Sequence, residues 1–279
     1  MFKKIVLWAL SIILLVVIAG YGYLRYTGMV PRHNYETVPP VLPEFKRPTV
    51  LVFNKTNGFI HREGLPAADA MLTELADELG WDVFITNNAA VHNASDLKRF
   101  KMVVWNNTSG DVLTEEQRRD FKSWLQQGGG WVGLHAAGGD PSYQWDWYAD
   151  VLIGAQFIGH TMEPQAQDAD VYAVAPANDL TSHIPSPWNV KHEEWYAFDQ
   201  NPRAKGYDIL LNIDETSYIT VGETHFGMID SMEGEHPLAW RHAVGEGKAF
   251  YSSIGHYAPT YSVPEYRELI KKAMVWSAQ

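Results

Sequence analysis

The chain of 279 residues contains no cysteine, which excludes disulfide bonds, thiolate metal ligands and a cysteine nucleophile. The chain also has no cluster of basic residues. It contains 22 Lys and Arg residues and 33 Asp and Glu residues, so its formal net charge is -11. Binding to a phosphate backbone needs a basic face, so nucleic acid is not expected as a partner. We expect an uncharged or cationic small ligand instead.

Several sequence signatures of catalysis are also missing. The chain has no HExxH zinc motif, no GxSxG serine elbow and no aspartate-rich metal loop. A serine hydrolase is therefore not expected, and any metal site has to be assembled from residues far apart in the sequence. Neither a repeat nor a low-complexity tract occurs, and a composition of 46% hydrophobic and 20% charged residues is typical of one globular domain.

An uncharged, mostly apolar run from Ile5 to Leu24 follows Lys3 and Lys4. About 20 such residues are enough to cross a bilayer as a helix, so residues 1–28 are predicted to be a membrane anchor or a signal segment. A poor cleavage site favours the anchor, and the two lysines indicate a single-pass protein of the cell membrane with its domain on the periplasmic or extracellular side. Five prolines then predict an extended linker over residues 29–48, as a spacer before the domain.

Strands alternate with helices from residue 49 onward, which predicts βαβ units. We expect an α/β domain over residues 49–279, with a doubly wound, mostly parallel sheet of the flavodoxin-like type. Thr114 and Gln117 have the spacing of a capping box and predict the start of a helix. The predicted strands are Thr49–Phe53, Trp81–Thr86, Lys101–Trp105 and Trp131–Leu134 in the first half, and Val171–Val174, Asp208–Ile213, Tyr218–Val221, Pro237–Trp240 and Gly247–Ser252 in the second.

Residues 128–139 are the most informative segment, because they place a histidine in a glycine-lined turn. Three glycines precede a short apolar strand, and His135 follows at its carboxyl end, where open α/β sheets bind ligands. The small residues after His135 predict a close approach of the backbone to a ligand. His160 and His256 stand in similar Gly-His contexts after apolar runs, so we expect at least two of the three histidines in one pocket.

Histidine transfers protons near neutral pH and is the commonest metal ligand, so acid–base catalysis and metal binding both remain open. We predict His135, His160, His256 and Glu194 as catalytic residues, and the three histidines also as ligands of a divalent metal such as zinc. A hydrogen-bonded structural role is the alternative for any single histidine. Polar and aromatic residues near strand ends are predicted to bind the substrate: His61, Thr108, Ser109, Trp147, Tyr148, Trp195 and Tyr196.

The motifs resemble those of the ThuA-like family, named for trehalose utilisation, whose fold resembles that of the class I glutamine amidotransferases. The resemblance extends in order from about Val50 to Trp276 and includes the strand with His135. The other matching segments are 58–63, 107–111, 147–148, 154–160, 193–196, 236–242 and 255–256.

The resemblance implies that His135 occupies the turn where an amidotransferase carries its cysteine, so that activity is not expected. Glu193 stands where the family usually has aspartate, whereas Glu194 is in register with the family pattern. The family is linked to sugar metabolism, particularly to oxidised (3-keto) glycosides, and some members bind a divalent metal.

The sequence therefore predicts a membrane-tethered, extracytoplasmic protein that acts on a small carbohydrate or keto-sugar. The expected chemistry is that of a hydrolase, lyase or isomerase, with proton transfer or metal-activated water at its core. The alternative is a non-catalytic carbohydrate-binding or scaffolding module that uses the same aromatic residues. The oligomeric state is left open.

Overall fold

A computed structural model describes residues 2–140, 144–175, 178–221, 231–232 and 234–279. Within this part of the chain, nine strands form one sheet and two short strands form a second sheet. The strands are β1 Thr49–Phe53, β2 Asp82–Thr86, β3 Met102–Asn106, β4 Gly130–Leu134, β5 Phe157–Gly159, β6 Gln167–Ala173, β7 Trp188–Glu193, β8 Ala197–Phe198, β9 Asp208–Ile213, β10 Pro237–Val244 and β11 Gly247–Ser252. The α-helices are α1 Phe2–Thr27, α2 Gly64–Glu78, α3 Ala94–Leu97, α4 Glu115–Gln126 and α5 Pro264–Ser277.

The large sheet has the order β2-β1-β3-β4-β11-β10-β9-β6-β7 and is mixed in direction. Neighbours from β2 to β11 are parallel, whereas neighbours from β11 to β7 are antiparallel. The α/β class is confirmed, but the expectation of a mostly parallel sheet is wrong. The reason is local: β10 and β11 are joined by the tight turn at Gly245 and Glu246, and a hairpin of this kind can only be antiparallel.

The predicted strand Tyr218–Val221 is also wrong, because this segment is irregular. Its backbone forms hydrogen bonds with a side chain instead of with a neighbouring strand. The Ile219 N–H donates to Oε1 of Gln167 at 2.9 Å, and the Ile219 carbonyl accepts from Nε2 of the same amide at 2.8 Å. One glutamine thereby satisfies the donor and the acceptor that a strand would have paired.

Strand β1 is buried on both faces, as its unbroken apolar sequence requires. Val50 and Val52 belong to a core that includes residues of α2 and α5, whereas Leu51 and Phe53 belong to a second core that includes residues of α4. Helix α4 begins with the predicted capping box of Thr114 and Gln117, which is confirmed. The helices therefore lie on both faces of the sheet and leave the carboxyl ends of its parallel strands free to carry a site.

Helix α1 is long and apolar enough to cross a membrane or to serve as a signal sequence, and none of its most apolar window is buried. Residues 29–48 form neither helix nor strand, as the prolines predict. They lie against the domain, contrary to the expectation of a spacer. The hydroxyl of Tyr35 donates to Asp111 at 2.8 Å and Nζ of the buried Lys55 donates to Glu36 at 2.7 Å, so polar groups of the domain find partners in this segment.

Candidate active site

Three histidines reach one edge of the large sheet from the carboxyl ends of parallel strands. His61 lies in the loop after β1, His135 follows β4 directly, and His256 follows β11 by a short turn. Because β1, β3, β4 and β11 are parallel neighbours, their carboxyl ends lie side by side. Glu194 comes directly after β7 and lies against the same histidines. The topology thus gathers four side chains that are widely separated along the chain.

His135 is held in a single orientation by its backbone and by one hydrogen bond. Its φ angle of 44° lies in the left-handed region, which turns the chain sharply at the end of β4. Its Nδ1 lies 2.6 Å from the carbonyl oxygen of Ser253. A carbonyl only accepts, so Nδ1 carries the hydrogen and Nε2 presents its lone pair to the site.

Nε2 of His135 is the centre of the cluster. It lies 3.1 Å from Nε2 of His61, 3.3 Å from Nδ1 of His256 and 3.6 Å from Oε2 of Glu194. The hydroxyl of Tyr196 approaches the same nitrogen at 2.8 Å, and its ring stacks on the imidazole. Three ring nitrogens and a carboxylate oxygen therefore converge on one small volume.

This group can hold a metal ion. One ligand atom from each of His61, His135, Glu194 and His256 lies within 4.8 Å of the others. With metal–nitrogen bonds of about 2.0–2.1 Å, neighbouring ligands of a tetrahedral site stand about 3.3 Å apart, which is close to the separations around His135. Imidazole and carboxylate ligands of this kind suit zinc and similar divalent ions. The predicted third histidine ligand, His160, is not in this group, and His61 takes its place.

Burial and charge shape the protonation of the cluster. Burial raises the pKa of Glu194, but the neighbouring imidazoles of His135, His256 and His160 outweigh it and hold the pKa well below its usual value. Burial lowers the pKa of His61 well below 6.5, and the neighbouring imidazoles lower it further. Burial also opposes the charging of His256, yet contact with Glu194 raises its pKa overall. The site therefore keeps Glu194 ionised and His61 neutral.

Glu193 points away from the cluster and binds the backbone that carries it. Its carboxylate accepts from the N–H groups of Glu194 and His256, both at 2.9 Å. It also accepts from the Gly255 N–H at 3.2 Å and from the hydroxyl of Thr260 at 2.6 Å. The side chain is fully buried, so these four bonds compensate the cost of burying its charge.

His160 borders the cluster on its outer side. Its Nδ1 lies 2.9 Å from the carbonyl of Thr161 and 3.3 Å from Oε1 of Glu194. Oε1 of Glu194 also accepts from Nε2 of Gln165 at 2.6 Å. The two oxygens of Glu194 therefore have different neighbours: one faces His135 and His256, and the other faces His160 and Gln165.

A cavity of about 750 Å³ opens onto the cluster, which is ample for a small organic ligand. Six residues predicted for the site line this cavity, and His135 lies directly behind them. They are His61, Ser109, His160, Glu194, Tyr196 and His256. The wall also includes residues 28–33, which directly follow helix α1.

Four predicted substrate-binding residues do not line this cavity. The hydroxyl of Thr108 donates to the carbonyl of Phe53 at 2.9 Å, and that of Tyr148 donates to the carbonyl of Ala137. Trp147 packs on Trp145 with ring centroids 4.9 Å apart. Trp195 is buried in the core with α2 and α5, because its side chain points to the opposite side of the chain from Tyr196.

The small residues after His135 make room for protein rings. A Cβ at Gly138 would lie 2.3 Å from the ring of Tyr251, and one at Gly139 would lie 2.4 Å from the ring of Tyr196. Tyrosine rings therefore require glycine at these two positions, while Ala136 and Gly139 also line the cavity, so the close approach of backbone to a ligand stays a prediction. Sequence reasoning also missed Gln165, the carbonyl of Ser253 and the cavity wall at residues 28–33, none of which has a motif.

Comparisons with known proteins agree with this fold. A family model described as "ThuA: Trehalose utilisation" matches residues 49–277. A crystal structure of a ThuA-like protein from Bacteroides uniformis is similar, with a TM-score of 0.71 and 22% identity over 86% of this chain and 95% of that one. A ThuA-like protein from Parabacteroides merdae gives a TM-score of 0.60 and 17% identity over 84% and 91% of the two chains. No curated protein matches the chain.

Proposed function

The chain belongs to the ThuA family, named for trehalose utilisation, and we propose that it is a membrane-tethered enzyme that transfers protons on an oxidised sugar. One observation carries the proposal: His61, His135, Glu194 and His256 converge within 4.8 Å at a cavity large enough for a sugar. Packing alone gives no reason to gather four ionisable groups in one buried place.

We assign His61, His135, Glu194 and His256 as the residues that hold a divalent metal, zinc or a similar ion. When bound, such an ion supplies a Lewis acid for a carbonyl oxygen or for water. The protein prepares this role by keeping the Nε2 lone pair of His135 directed inward through the hydrogen bond to Ser253. It also keeps Glu194 ionised, so that a negatively charged ligand oxygen is available to a cation.

His160 is assigned as the residue that moves the proton. It lines the cavity but lies outside the group of four, and its Nδ1 is held between Thr161 and Glu194. Those contacts hold the ring at the cavity wall, and imidazole is the side chain most often used for general acid–base catalysis. The acidic hydrogens beside a 3-keto group are the expected target, and their removal serves isomerisation or elimination.

Helix α1 is assigned as an uncleaved membrane anchor, with the domain outside the cytoplasm. The contacts between its last turn and the domain support the uncleaved state of the helix. The carbonyl of Thr27 accepts from the Ile60 N–H at 3.1 Å, and the guanidinium of Arg62 lies 3.7 Å above the ring of Tyr26. A cleaved signal would not need these contacts.

The test is hydrogen exchange at carbon in D₂O. Full-length protein in lipid nanodiscs is incubated with a methyl 3-keto-glucoside, and ¹H NMR follows the hydrogens beside the ketone. We expect the protein to accelerate their replacement by deuterium, and we expect elemental analysis to find about one divalent ion per chain. His160→Gln and His135→Ala should lose the acceleration. His183→Ala should keep it, because His183 is bonded to the carbonyl of Glu265, away from the cavity.

Binding of the glycoside without exchange or product would refute the enzyme and favour the non-catalytic carbohydrate-binding module. Exchange that survives both site substitutions would refute the residue assignments.

A further inference from the structure

The cavity has two unlike walls. Its inner end carries the polar side chains of the histidine and glutamate cluster. Its outer wall includes Met29, Val30, Pro31 and Phe59, which are apolar. Met29 is 56% exposed and Phe59 is 43% exposed, so both present apolar surface to a ligand that enters the cavity.

The outer wall is fixed to the end of helix α1. The Arg32 N–H donates to the carbonyl of Asn57 at 2.6 Å, which adds to the bond between Ile60 and Thr27. Gly28 has a φ of 87°, and a Cβ there would lie 2.0 Å from the carbonyl oxygen of Gly58. Only glycine permits this contact. The chain therefore passes from the helix into the cavity wall without a flexible joint.

Tyrosines at the end of α1 mark the level of the bilayer surface. Tyr21, Tyr23 and Tyr26 are all exposed, and tyrosine is enriched where a membrane helix crosses from lipid to water. At 1.5 Å per helical residue, Gly28 stands about 3 Å beyond Tyr26 along the helix axis. The apolar wall of the cavity thus begins at the height of the lipid headgroups.

From this arrangement we propose that the substrate is a glycoside with an apolar tail, taken from the bilayer surface. The inference rests on the proposed function and adds the substrate class. The sugar reaches the histidine cluster, while the tail lies against Met29, Val30 and Phe59 and points toward the membrane. A soluble sugar would leave this wall exposed to water, whereas a tail covers it.

The experiment compares two ligands that differ only in the tail. Methyl β-glucoside and octyl β-glucoside, below its micelle concentration, are titrated onto full-length protein in lipid nanodiscs. Saturation-transfer NMR measures binding, and empty nanodiscs are subtracted. The variants are Met29→Ser, the apolar replacement Met29→Leu and the matched control Val38→Ser. Val38 is an exposed apolar residue of the same segment, and it does not line the cavity.

We expect wild type, Met29→Leu and Val38→Ser to bind the octyl glucoside at least tenfold more tightly than the methyl glucoside. Met29→Ser should reduce this preference to about threefold or less without weakening the methyl glucoside. Equal binding of the two ligands, no binding of either, or a preference that Met29→Ser leaves intact would overturn the inference. The deuterium-exchange assay separates the two proposals. A preference for the octyl glucoside without deuterium exchange would refute only the proposed enzyme activity. Deuterium exchange without a preference for the octyl glucoside would refute only the proposed substrate class.

Discussion

The carboxylate of Glu193 binds the backbone N–H of His256 at a distance of 2.9 Å, although Glu193 itself does not enter the cavity. Because the same oxygen also accepts from the Glu194 N–H, one buried charge fixes the spacing between two candidate metal ligands. Glu193 is therefore a positioning residue for the site.

Glu193→Gln should weaken both the fold and the site. The amide group would face the Gly255 N–H or the Thr260 hydroxyl with a donor in place of an acceptor, which leaves a buried polar group unpaired at a cost of about 1–3 kcal/mol. Urea denaturation should show this loss, and zinc titration should show an affinity lower by roughly 10–100-fold. The exposed Glu246→Gln serves as the control and should change neither quantity. Unchanged zinc affinity in Glu193→Gln would contradict the positioning role.

Removal of the metal should destabilise the protein. A ligand at about 100 times its Kd stabilises the folded state by roughly 2.7 kcal/mol, which for a domain of this size corresponds to a change of about 5–10 °C in Tm. We expect EDTA to lower the Tm of wild type by this amount, and a differential scanning calorimeter to record recovery on addition of zinc. His256→Ala should respond to neither treatment, whereas His183→Ala should behave as wild type. Identical Tm values for wild type with and without EDTA would argue against a bound metal.

His92 should make the stability of the domain depend on pH. It is buried, and this burial lowers its pKa from 6.5 to about 3. In the unfolded chain the ordinary pKa near 6.5 applies, so only the unfolded state binds the proton as the pH falls from 6.5 toward 3. The free energy of unfolding should therefore fall with decreasing pH in this window, by about 2 kcal/mol between pH 7.5 and pH 5 from this residue alone.

The measurement is urea denaturation of wild type and of His92→Gln at pH 7.5 and pH 5. Glutamine keeps a hydrogen-bonding side chain near Trp105, whose indole N–H lies 3.2 Å from Nε2 of His92, but it does not titrate. The variant should lose less stability on acidification than wild type. Equal losses in the two proteins would show that His92 does not titrate in this way.

Gly28→Ala should detach the end of helix α1 from the domain. The added methyl group would collide with the carbonyl of Gly58, and the left-handed backbone would be strained as well. Hydrogen–deuterium exchange should then show faster exchange of the Ile60 amide, whose acceptor is the carbonyl of Thr27. Gly22→Ala is the matched control, because nothing lies within 4 Å of a Cβ at that position. Equal exchange of Ile60 in wild type and Gly28→Ala would contradict the docking.

The first half of the fold follows closely from the sequence. β1 begins and ends at the predicted residues, and Thr114 caps α4 through the predicted box, since apolar runs and caps are local signals. The antiparallel half is harder to predict because, apart from the β10–β11 hairpin, its pairing joins strands that are separated by longer connections. The segment at Ile219 shows the difference, since its apolar and β-branched residues favour a strand, yet the side chain of Gln167 satisfies its backbone.

Part of the candidate site is predictable as well, because it follows from local signals in the sequence. Gly-His contexts at strand ends pointed to His135, His160 and His256, and all three lie at or against one cluster. The sequence predicts that His61 touches substrate, but its ring nitrogen belongs to the group that could hold a metal, which depends on how the loop after β1 folds back. Trp195 and Tyr196 are neighbours in sequence and still face opposite cores, a difference that no composition rule resolves.

The four residues of the cluster lie between positions 61 and 256. The last of them, His256, follows strand β11, and helix α5 comes after it. A growing polypeptide therefore lacks this complete set of side chains until it has been synthesised as far as His256. If the proposed metal site is correct, an ion can enter it only after His256 has joined the other three side chains, and the cations of the compartment where that happens decide which ion is acquired.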